Sequence, residues 1–292
     1  MTPQTLANVV LPMALAFLMW VMGLSLRPAD FLRVGRYPGV ILWALSLQLM
    51  LLPALAWLVI GIWKPPLTLA AGLLILSVCP SGVTSNIISQ LSRGDAALSI
   101  TLTAIGSVIA PFTIPLLLNL QLPWLGLLAA EIALPIMPTI GSLVLVTLLP
   151  VLLGMLVRHR LPGFTGRWEP RLRRLTLPAF ASLVVLLGIV NWERLPGLWT
   201  AAAGACLSLC VLGMLSAAAI ARVRGYSPAW QRTLAVEVGI QNAGTGMLVA
   251  AVLMGRPELA ITPLFYGILM NLPALILIAQ QQWQTFTLEE RA

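Results

Sequence analysis

Charged residues are scarce in this sequence. Only 9% of its 292 residues are Asp, Glu, Lys or Arg, whereas 59% are hydrophobic. A soluble domain usually carries about 25% charged residues, so this chain has too little polar surface to cover itself in water. The scarcity excludes an ordinary soluble protein and favours one that folds in the hydrocarbon of a lipid bilayer.

Histidine, cysteine and deeply placed acids are also rare, which argues against catalysis. The only histidine, His159, lies in a polar stretch, where we expect a solvated loop residue. Cys79, Cys206 and Cys210 lie in apolar stretches, and their odd number without Cys-x-x-Cys spacing argues against disulfides or a zinc site. Neither a nucleophile with its base nor a metal triad is visible. We predict a protein that is not an enzyme and has no cofactor.

Long apolar runs, by contrast, fill the chain. A membrane-spanning helix needs about 20 mostly apolar residues. The runs predict nine transmembrane helices, at 6–26, 38–63, 67–91, 95–121, 133–157, 175–192, 197–221, 228–253 and 259–284. The first ten residues lack the positive segment of a signal peptide, so we expect them to begin a retained helix.

The predicted fold is a single all-α polytopic membrane domain over residues 1–292. Its longest polar stretch, 158–174, is expected to be a linker between a first half, about 1–121, and a second half, about 133–285.

When nine helices are assumed, most Lys and Arg residues fall in loops on one side of the membrane. Cytoplasmic loops are the ones rich in Lys and Arg, and 14 of the 17 basic residues fall in one set of loops. The other set holds only Lys64, Arg194 and Arg256. We therefore predict a multi-pass protein of the cell (inner) membrane, with the N-terminus outside and the C-terminus in the cytoplasm. Because the arginines are spread as topology signals, the net charge of +8 does not predict nucleic-acid binding.

Two of the predicted helices are interrupted near their middle. The third contains CPSGVTSN at 79–86, and the eighth contains EVGIQNAGTG at 237–246. They lie five helices apart, so they cross the membrane in opposite directions. Paired broken helices in two inverted halves are typical of a transporter binding site. The pattern predicts an inverted repeat with two crossing broken helices.

Glu237 is the strongest single signal, because it is the only acid deep within a predicted helix. A charge at the bilayer centre costs at least about 2.5–3.5 kcal/mol on insertion scales, so something should compensate it. A bound cation is the direct way and a proton is the alternative. The structural alternative is a protonated glutamate that makes one hydrogen bond.

Several residues with neutral oxygen atoms are expected to lie near this acid. Gln241 follows Glu237 by one turn, and Gly239 between them indicates unwinding that would free the carbonyls of Val238 and Ile240. Further oxygens come from helices two to four; they are Gln48, Ser85, Asn86, Ser99 and Thr103. Ser and Thr also join helices as polar glue, and that reading stays open for Ser99 and Thr103 alone. Together with a carboxylate, neutral oxygens suit a hard cation such as sodium.

At these residues the sequence resembles the bile acid:sodium symporter family, in particular its bacterial nine-helix members. The matching segments are GLSLRPAD at 23–30, Gln48 with Pro53, CPSGVTSN at 79–86, GDAALS at 94–99 and EVGIQN at 237–242. The resemblance implies a panel of helices one, five and six, and a core of helices two to four and seven to nine. It also implies two sodium ions as coupling ions.

The resemblance assigns the residues of each sodium site. The first set is Ser85, Asn86, Ser99, Thr103 and Glu237. The second set is Gln48, Glu237, Gln241 and the carbonyls of Val238 and Ile240. Family members often have Gly and Thr where this chain has Ser81 and Val83, and often a His before the Asn that is Asn271 here. These positions border the substrate cavity, so the family implies an organic anion without fixing a bile acid.

The substrate is predicted to lie against the two broken helices. Half-helices that start near Thr84 and Asn242 would offer unpaired N–H groups to a carboxylate or sulfonate. Asn242 and Asn271 would add amide donors. Alternatively, Asn271 satisfies carbonyls freed by Pro273, two residues later. No Arg or Lys lies at this depth.

The sequence thus predicts a sodium-coupled symporter of small organic anions that works by alternating access. Within transport the alternative is proton coupling, with Glu237 as the titrating group. Outside transport, the alternative is a membrane receptor or scaffold that carries nothing.

Overall fold

The computed structural model describes residues 9–126, 134–190 and 195–289, and this part of the chain is helical without any strand. Six helices in it are long and apolar enough to cross a membrane. Two shorter apolar helices, Leu11–Ser25 and Leu67–Ser77, accompany them. The predicted all-α polytopic membrane fold is therefore confirmed, while the count of nine spans stays a prediction.

The helices are numbered here in chain order. They are α1 Leu11–Ser25, α2 Pro28–Arg36, α3 Pro38–Trp63, α4 Leu67–Ser77, α5 Val83–Leu91, α6 Ala96–Leu125, α7 Ile136–Arg160, α8 Pro162–Val190, α9 Leu195–Val223, α10 Pro228–Gly239, α11 Ala243–Leu248, α12 Ile261–Leu269 and α13 Asn271–Glu289. Three π-helical turns interrupt this pattern, at Leu47–Leu51 in α3, at Val144–Leu148 in α7 and at Val249–Leu253 after α11.

Both expected breaks occur, and they meet. Residues 78–82 separate α4 from α5, and residues 240–242 separate α10 from α11. Helix α10 ends after Gly239, and the backbone N–H of Asn242 leaves it to donate to the carbonyl of Pro80 at 2.8 Å. An unpaired backbone amide is costly in hydrocarbon. This bond pairs a free amide of one broken helix with a free carbonyl of the other.

Two segments that were predicted as loops are helical instead. Residues 28–36 form α2, and the predicted linker 158–174 is the last turn of α7 and the first part of α8. His159 is exposed as expected, but it lies in the last turn of α7 and not in a loop. The expectation of a loop was wrong because a polar stretch at the membrane surface can continue as a helix, with Pro162 tolerated in its first turn. Its role as the linker between two halves stays a prediction. Arg194 and Arg291 lie outside the described residues.

Helices α1 and α7 touch along their backbones. A Cβ atom added to Gly23 would collide with the carbonyl oxygen of Val151, and one added to Gly154 would collide with that of Trp20. Small residues allow such close approach between membrane helices. Helix α8 also packs against α1, so the three helices assigned to the panel contact one another. The division into panel and core, with its inverted halves, stays a prediction.

The predicted orientation can be tested with single cysteines on the two faces. Gly163 and Lys64 are exposed, and the three native cysteines are buried and should not react. A Cβ atom at Gly163 would meet nothing within 4 Å, so Gly163→Cys should fold normally. We expect a membrane-impermeant maleimide to label Gly163→Cys only in inside-out vesicles and Lys64→Cys only in intact cells. The reverse pattern would show that the orientation is inverted.

Candidate functional site

The carboxylate of Glu237 lies at the centre of a buried polar cluster. Glu237 stands near the end of α10 and is only 2% exposed. Ser99 of α6 donates a hydrogen bond to its Oε1 at 2.6 Å, and Thr103, one turn later, donates to its Oε2 at 3.1 Å. Ser81, in the break between α4 and α5, also donates to Oε2. Three hydroxyls from two elements therefore surround one acid.

The remaining members of the first set complete this cluster from α5. The Oδ1 atom of Asn86 lies 2.8 Å from the Ser99 hydroxyl and 3.1 Å from the Thr103 hydroxyl. Ser85 lies 3.5 Å from Thr103 and donates to the carbonyl of Gly82. All five residues of the first set are thus brought into one network. Asp95 helps to fix its geometry, because it caps the start of α6.

This network contains more oxygens than protons. The hydroxyls of Ser99 and Thr103 make four short contacts with Asn86 and Glu237, but each hydroxyl has one proton to donate. At most two of the four contacts can therefore be hydrogen bonds from these hydroxyls. A hard cation coordinated by the oxygens would resolve the surplus without any further proton.

Two other arrangements also balance the protons. A proton on Glu237 supplies one further hydrogen bond. Rotating the Asn86 amide by half a turn places its NH2 group against both hydroxyls, and amide orientation is assigned from such networks. The rotated amide would satisfy the cluster when no ion is bound, whereas the Oδ1 orientation suits a bound cation. The same residues can therefore form two satisfied states.

The second set is only partly assembled. Gln241 donates to the carbonyl of Val238 at 2.7 Å, and its Oε1 atom is buried without a hydrogen-bond partner. Gln48 lies in the π turn of α3 and donates to the carbonyl of Cys79 at 3.4 Å. Its recorded contact is therefore with the break of α4 and α5, and not with Glu237 or Gln241. The unpartnered oxygen of Gln241 is the clearest acceptor in this set.

Two residues at the cluster were missed by the sequence analysis. Ser81 was noted only as a departure from the family, although a hydroxyl within a mid-membrane break is a recognisable signal. Tyr266 of α12 donates to the carbonyl of Gly239 at 2.7 Å and so satisfies the end of α10. No signal pointed to Tyr266, because it lies in an apolar run.

The three predicted substrate residues differ in their surroundings. Thr84 is exposed at the start of α5. The Oδ1 atom of Asn242 accepts from the N–H of Thr245 and caps α11, which leaves its amide group to donate elsewhere. Asn271 donates to the carbonyls of Gly267 and Ile268. The amide thus satisfies backbone carbonyls at the end of α12, whereas the carbonyl that Pro273 leaves without a donor is that of Leu269. Both predicted roles of Asn271 stay open.

A small cavity adjoins the broken helices on the side of α1 and α7. Met19 and Thr147 line it from those two helices, and Pro80, Ser107 and Thr245 line it from the opposite side. Its wall is mainly apolar with three hydroxyls. Its volume is about 10 Å³, the space of roughly one water molecule, so an organic ligand would need a wider opening than this structure has.

Comparison with known proteins identifies relatives across most of the chain. A model of the sodium bile acid symporter family matches residues 12–198. A probable chloroplastic sodium/metabolite cotransporter of Oryza sativa subsp. japonica is 30% identical over 259 residues, which cover 86% of this chain and 62% of the relative. An uncharacterized sodium-dependent transporter of Bacillus subtilis is 28% identical over 81% of this chain and 72% of its own length. The human ileal sodium/bile acid cotransporter is 26% identical over 89% of this chain and 75% of its own length.

The match covers only part of the length of the plant relatives. The chain spans about three fifths of the length of the rice protein and of a similar chloroplastic protein of Arabidopsis thaliana, at 62% and 58%. The likeness to all these proteins is moderate in identity, and it covers both broken helices in the longer matches.

The role of Ser81 can be tested by removing its hydroxyl. Ser81→Ala removes one donor to the carboxylate of Glu237 and one oxygen from the cluster. We expect the sodium concentration that half-maximally raises the melting temperature to increase by roughly three- to tenfold, the effect of a net hydrogen bond of about 1 kcal/mol. Ser77→Ala is the matched control, because Ser77 is buried and bonds only its own helix, at Leu74. An unchanged sodium titration in Ser81→Ala would show that Ser81 has no part in ion binding.

Proposed function

The chain belongs to the sodium bile acid symporter family, and from that premise we propose that it uses a sodium gradient to carry a small organic anion across the membrane. Members of this family are transporters and not enzymes. The proposal needs a place for the ion, a place for the anion and a movement that exposes both to either side. Each is argued below from the described residues.

The observation that carries the proposal is the gathering of neutral side chains around the buried carboxylate of Glu237; they are Ser85, Asn86, Ser99 and Thr103. A buried carboxylate with four neutral oxygen ligands within reach compensates the charge of one sodium ion and replaces its water shell. The first set supplies the first sodium site in this proposal. Gln241, with its unpartnered oxygen, supports a second site beside it, where the Val238 and Ile240 carbonyls and Gln48 would complete the shell. Two sodium ions per cycle follow from two such sites.

In this proposal the anion binds between α1 and α7 on one side and the broken helices on the other, where the present cavity of about 10 Å³ has to widen to admit it. The amide of Asn242 and the N-terminus of α5 near Thr84 do not line the present cavity, and they would donate to the anion once this space has widened. No Lys or Arg contributes, so hydrogen bonds and the nearby sodium ions hold the anion. Sodium must then bind before or together with the substrate. A carboxylate or sulfonate on an apolar body fits this lining best.

Alternating access in this proposal is a rocking movement of the panel against the core around a fixed site. The helices α1, α7 and α8 form the panel, and both broken helices belong to the core. Because the cavity lies at the boundary of these two groups, a rotation there would open it to one side and close it to the other. The predicted location is the cell (inner) membrane, with the C-terminus in the cytoplasm.

Proton coupling is the second candidate, and one observation favours it. A proton on Glu237 would supply one of the missing hydrogen bonds in the oxygen cluster. It leaves Gln241 without a role, however, and the neutral oxygens of Ser85 and Asn86 exceed what a single titrating acid needs.

Uptake into proteoliposomes separates the two candidates. The anion is chosen beforehand from carboxylates and sulfonates by its effect on the melting temperature in sodium and in potassium. We expect an inward sodium gradient to drive its accumulation, and Glu237→Gln to lower this uptake at least tenfold because the amide carries no charge for the ion. Glu258→Gln is the control, since Glu258 pairs with Arg256 away from the cluster. Uptake that follows a pH gradient in potassium would establish proton coupling instead.

The anion site is tested by a change at Asn242 that preserves its helix cap. Asn242→Ser keeps an oxygen for the N–H of Thr245 but removes the amide donor. We expect the half-saturation constant for the anion to rise about tenfold, as for one lost charge-assisted hydrogen bond of ~1.5–3 kcal/mol. Sodium binding measured without the anion should not change. If the anion is transported with unchanged affinity, the site lies elsewhere.

A further inference from the structure

A second and larger cavity lies far from the sodium cluster, where α1, α7 and α8 end or begin. Its volume is about 520 Å³. Arg27 lines it from the turn after α1, Arg158 and His159 from the last turn of α7, and Thr165 and Glu169 from the first turns of α8. Neither the ion nor the anion of the proposed transport cycle requires this cavity.

One wall of this cavity is positive. The starts of α2 and α8, at Pro28 and Pro162, both border it. Asp30 in the first turn of α2 accepts from the N–H of Arg27, so it is the N-terminus of α8 that adds to the two arginines. Arg158 donates to the carbonyl of Leu24. Within residues 9–126, 134–190 and 195–289, the ion pair found joins Arg256 and Glu258, so neither Arg27 nor Arg158 has a carboxylate within 4 Å.

The hydroxyl of Thr165 points to a ligand more directly. Thr165 is only 4% exposed, and its Oγ1 atom has no hydrogen-bond partner. A helical threonine usually bonds a carbonyl of the preceding turn, as Thr101, Thr147 and Thr176 do here. Thr165 therefore differs from these threonines, and leaving a buried hydroxyl without a hydrogen-bond partner is costly. A ligand oxygen in the cavity would give it a partner.

The lining also carries one acid, Glu169. Glu169 follows Thr165 by four residues, so both lie on one face of α8. Its Oε1 atom accepts a hydrogen bond from Ser25 at 2.8 Å, which fixes the carboxylate in the lining. The cavity lining therefore carries both positive and negative groups.

The surroundings are those of a membrane interface. Leu161, Phe164 and Trp168 are exposed on the adjoining surface of α8, and Phe164 stacks on Trp168. Aromatic residues are enriched at the level of lipid headgroups. The cavity is also several times larger than an inorganic phosphate ion, and acyl chains can follow the exposed leucines Leu152 and Leu156 of α7.

From these features we infer that the cavity binds the headgroup of a phospholipid that carries a free ammonium group. The phosphate lies against Arg27, Arg158 and the hydroxyl of Thr165, and the ammonium lies against Glu169. A glycerol headgroup would leave Glu169 facing the phosphate without a counter-charge. A bulky quaternary amine could not donate hydrogen bonds to that carboxylate. Phosphatidylethanolamine has the required pair of groups.

The test measures thermal unfolding of the purified full-length chain in detergent, titrated with single lipids of identical acyl chains. The probes are phosphatidylethanolamine, phosphatidylglycerol and phosphatidylcholine, with inorganic phosphate and phosphoethanolamine as soluble counterparts. We expect phosphatidylethanolamine to raise the melting temperature at the lowest concentration, and the soluble compounds to have no effect at equal concentration.

The variants locate this effect. Thr165→Val and Arg27→Gln should each raise the half-maximal lipid concentration about three- to tenfold, the range of one or two weak hydrogen bonds. Thr176→Val is the matched control on α8 and should behave as wild type. Without lipid, Thr165→Val should melt no lower than wild type, because its hydroxyl has no partner to lose. Glu169→Gln should bind phosphatidylethanolamine and phosphatidylglycerol equally.

Three results would overturn the inference. The first is a lipid titration of Thr165→Val that matches wild type together with an unchanged titration of Arg27→Gln. The second is a shift by inorganic phosphate at the same concentration as the lipid, which would identify a soluble anion site. The third is a preference for phosphatidylglycerol in the wild-type protein, which would show that Glu169 does not select the headgroup.

Discussion

The rest of the structure depends on one constraint, the burial of the Glu237 carboxylate in the middle of the bundle. A buried charge has to be compensated, and hydrocarbon supplies neither an opposite charge nor hydrogen bonds. In this protein the compensation comes from hydroxyl and amide oxygens, and among the described residues no basic side chain pairs with Glu237. Ser81, Ser99 and Thr103 contact the carboxylate directly, and Asn86 bridges the last two. A set of neutral oxygens around a single acid favours a monovalent hard cation over a salt bridge.

This arrangement requires broken helices, and broken helices require partners for their free backbone groups. The structure meets that requirement by joining the breaks. Asn242 donates its N–H to the carbonyl of Pro80, and Tyr266 donates to the carbonyl of Gly239. At the other end of α10, Trp230 donates to the carboxylate of Asp95, which also caps α6. The cluster is therefore held from several helices at once, and a movement of one broken helix would disturb the ligands of the other.

The elements of this site that follow from local chemistry could be predicted from the sequence. Proline and glycine near the middle of an apolar run predict a break, and Ser99 and Thr103 share a face because they are four residues apart. A hydroxyl within a break marks Ser81 as a candidate, but its contact with Glu237 depends on the path of the chain after the break and could not be predicted. The same holds for the backbone contact at Gly23, which depends on a helix far away in sequence. The start of α8 was expected to be a loop, because polarity alone does not distinguish an interfacial helix from a loop.

The central claim is that the oxygen cluster around Glu237 binds sodium itself, and equilibrium binding of ²²Na⁺ to the purified protein tests it most directly. No substrate is added, so binding is separated from transport. The account predicts saturable binding that unlabelled sodium displaces and potassium does not, with a stoichiometry that approaches two ions per chain at saturation. The absence of saturable ²²Na⁺ binding by folded protein, or equal displacement by potassium, would contradict it.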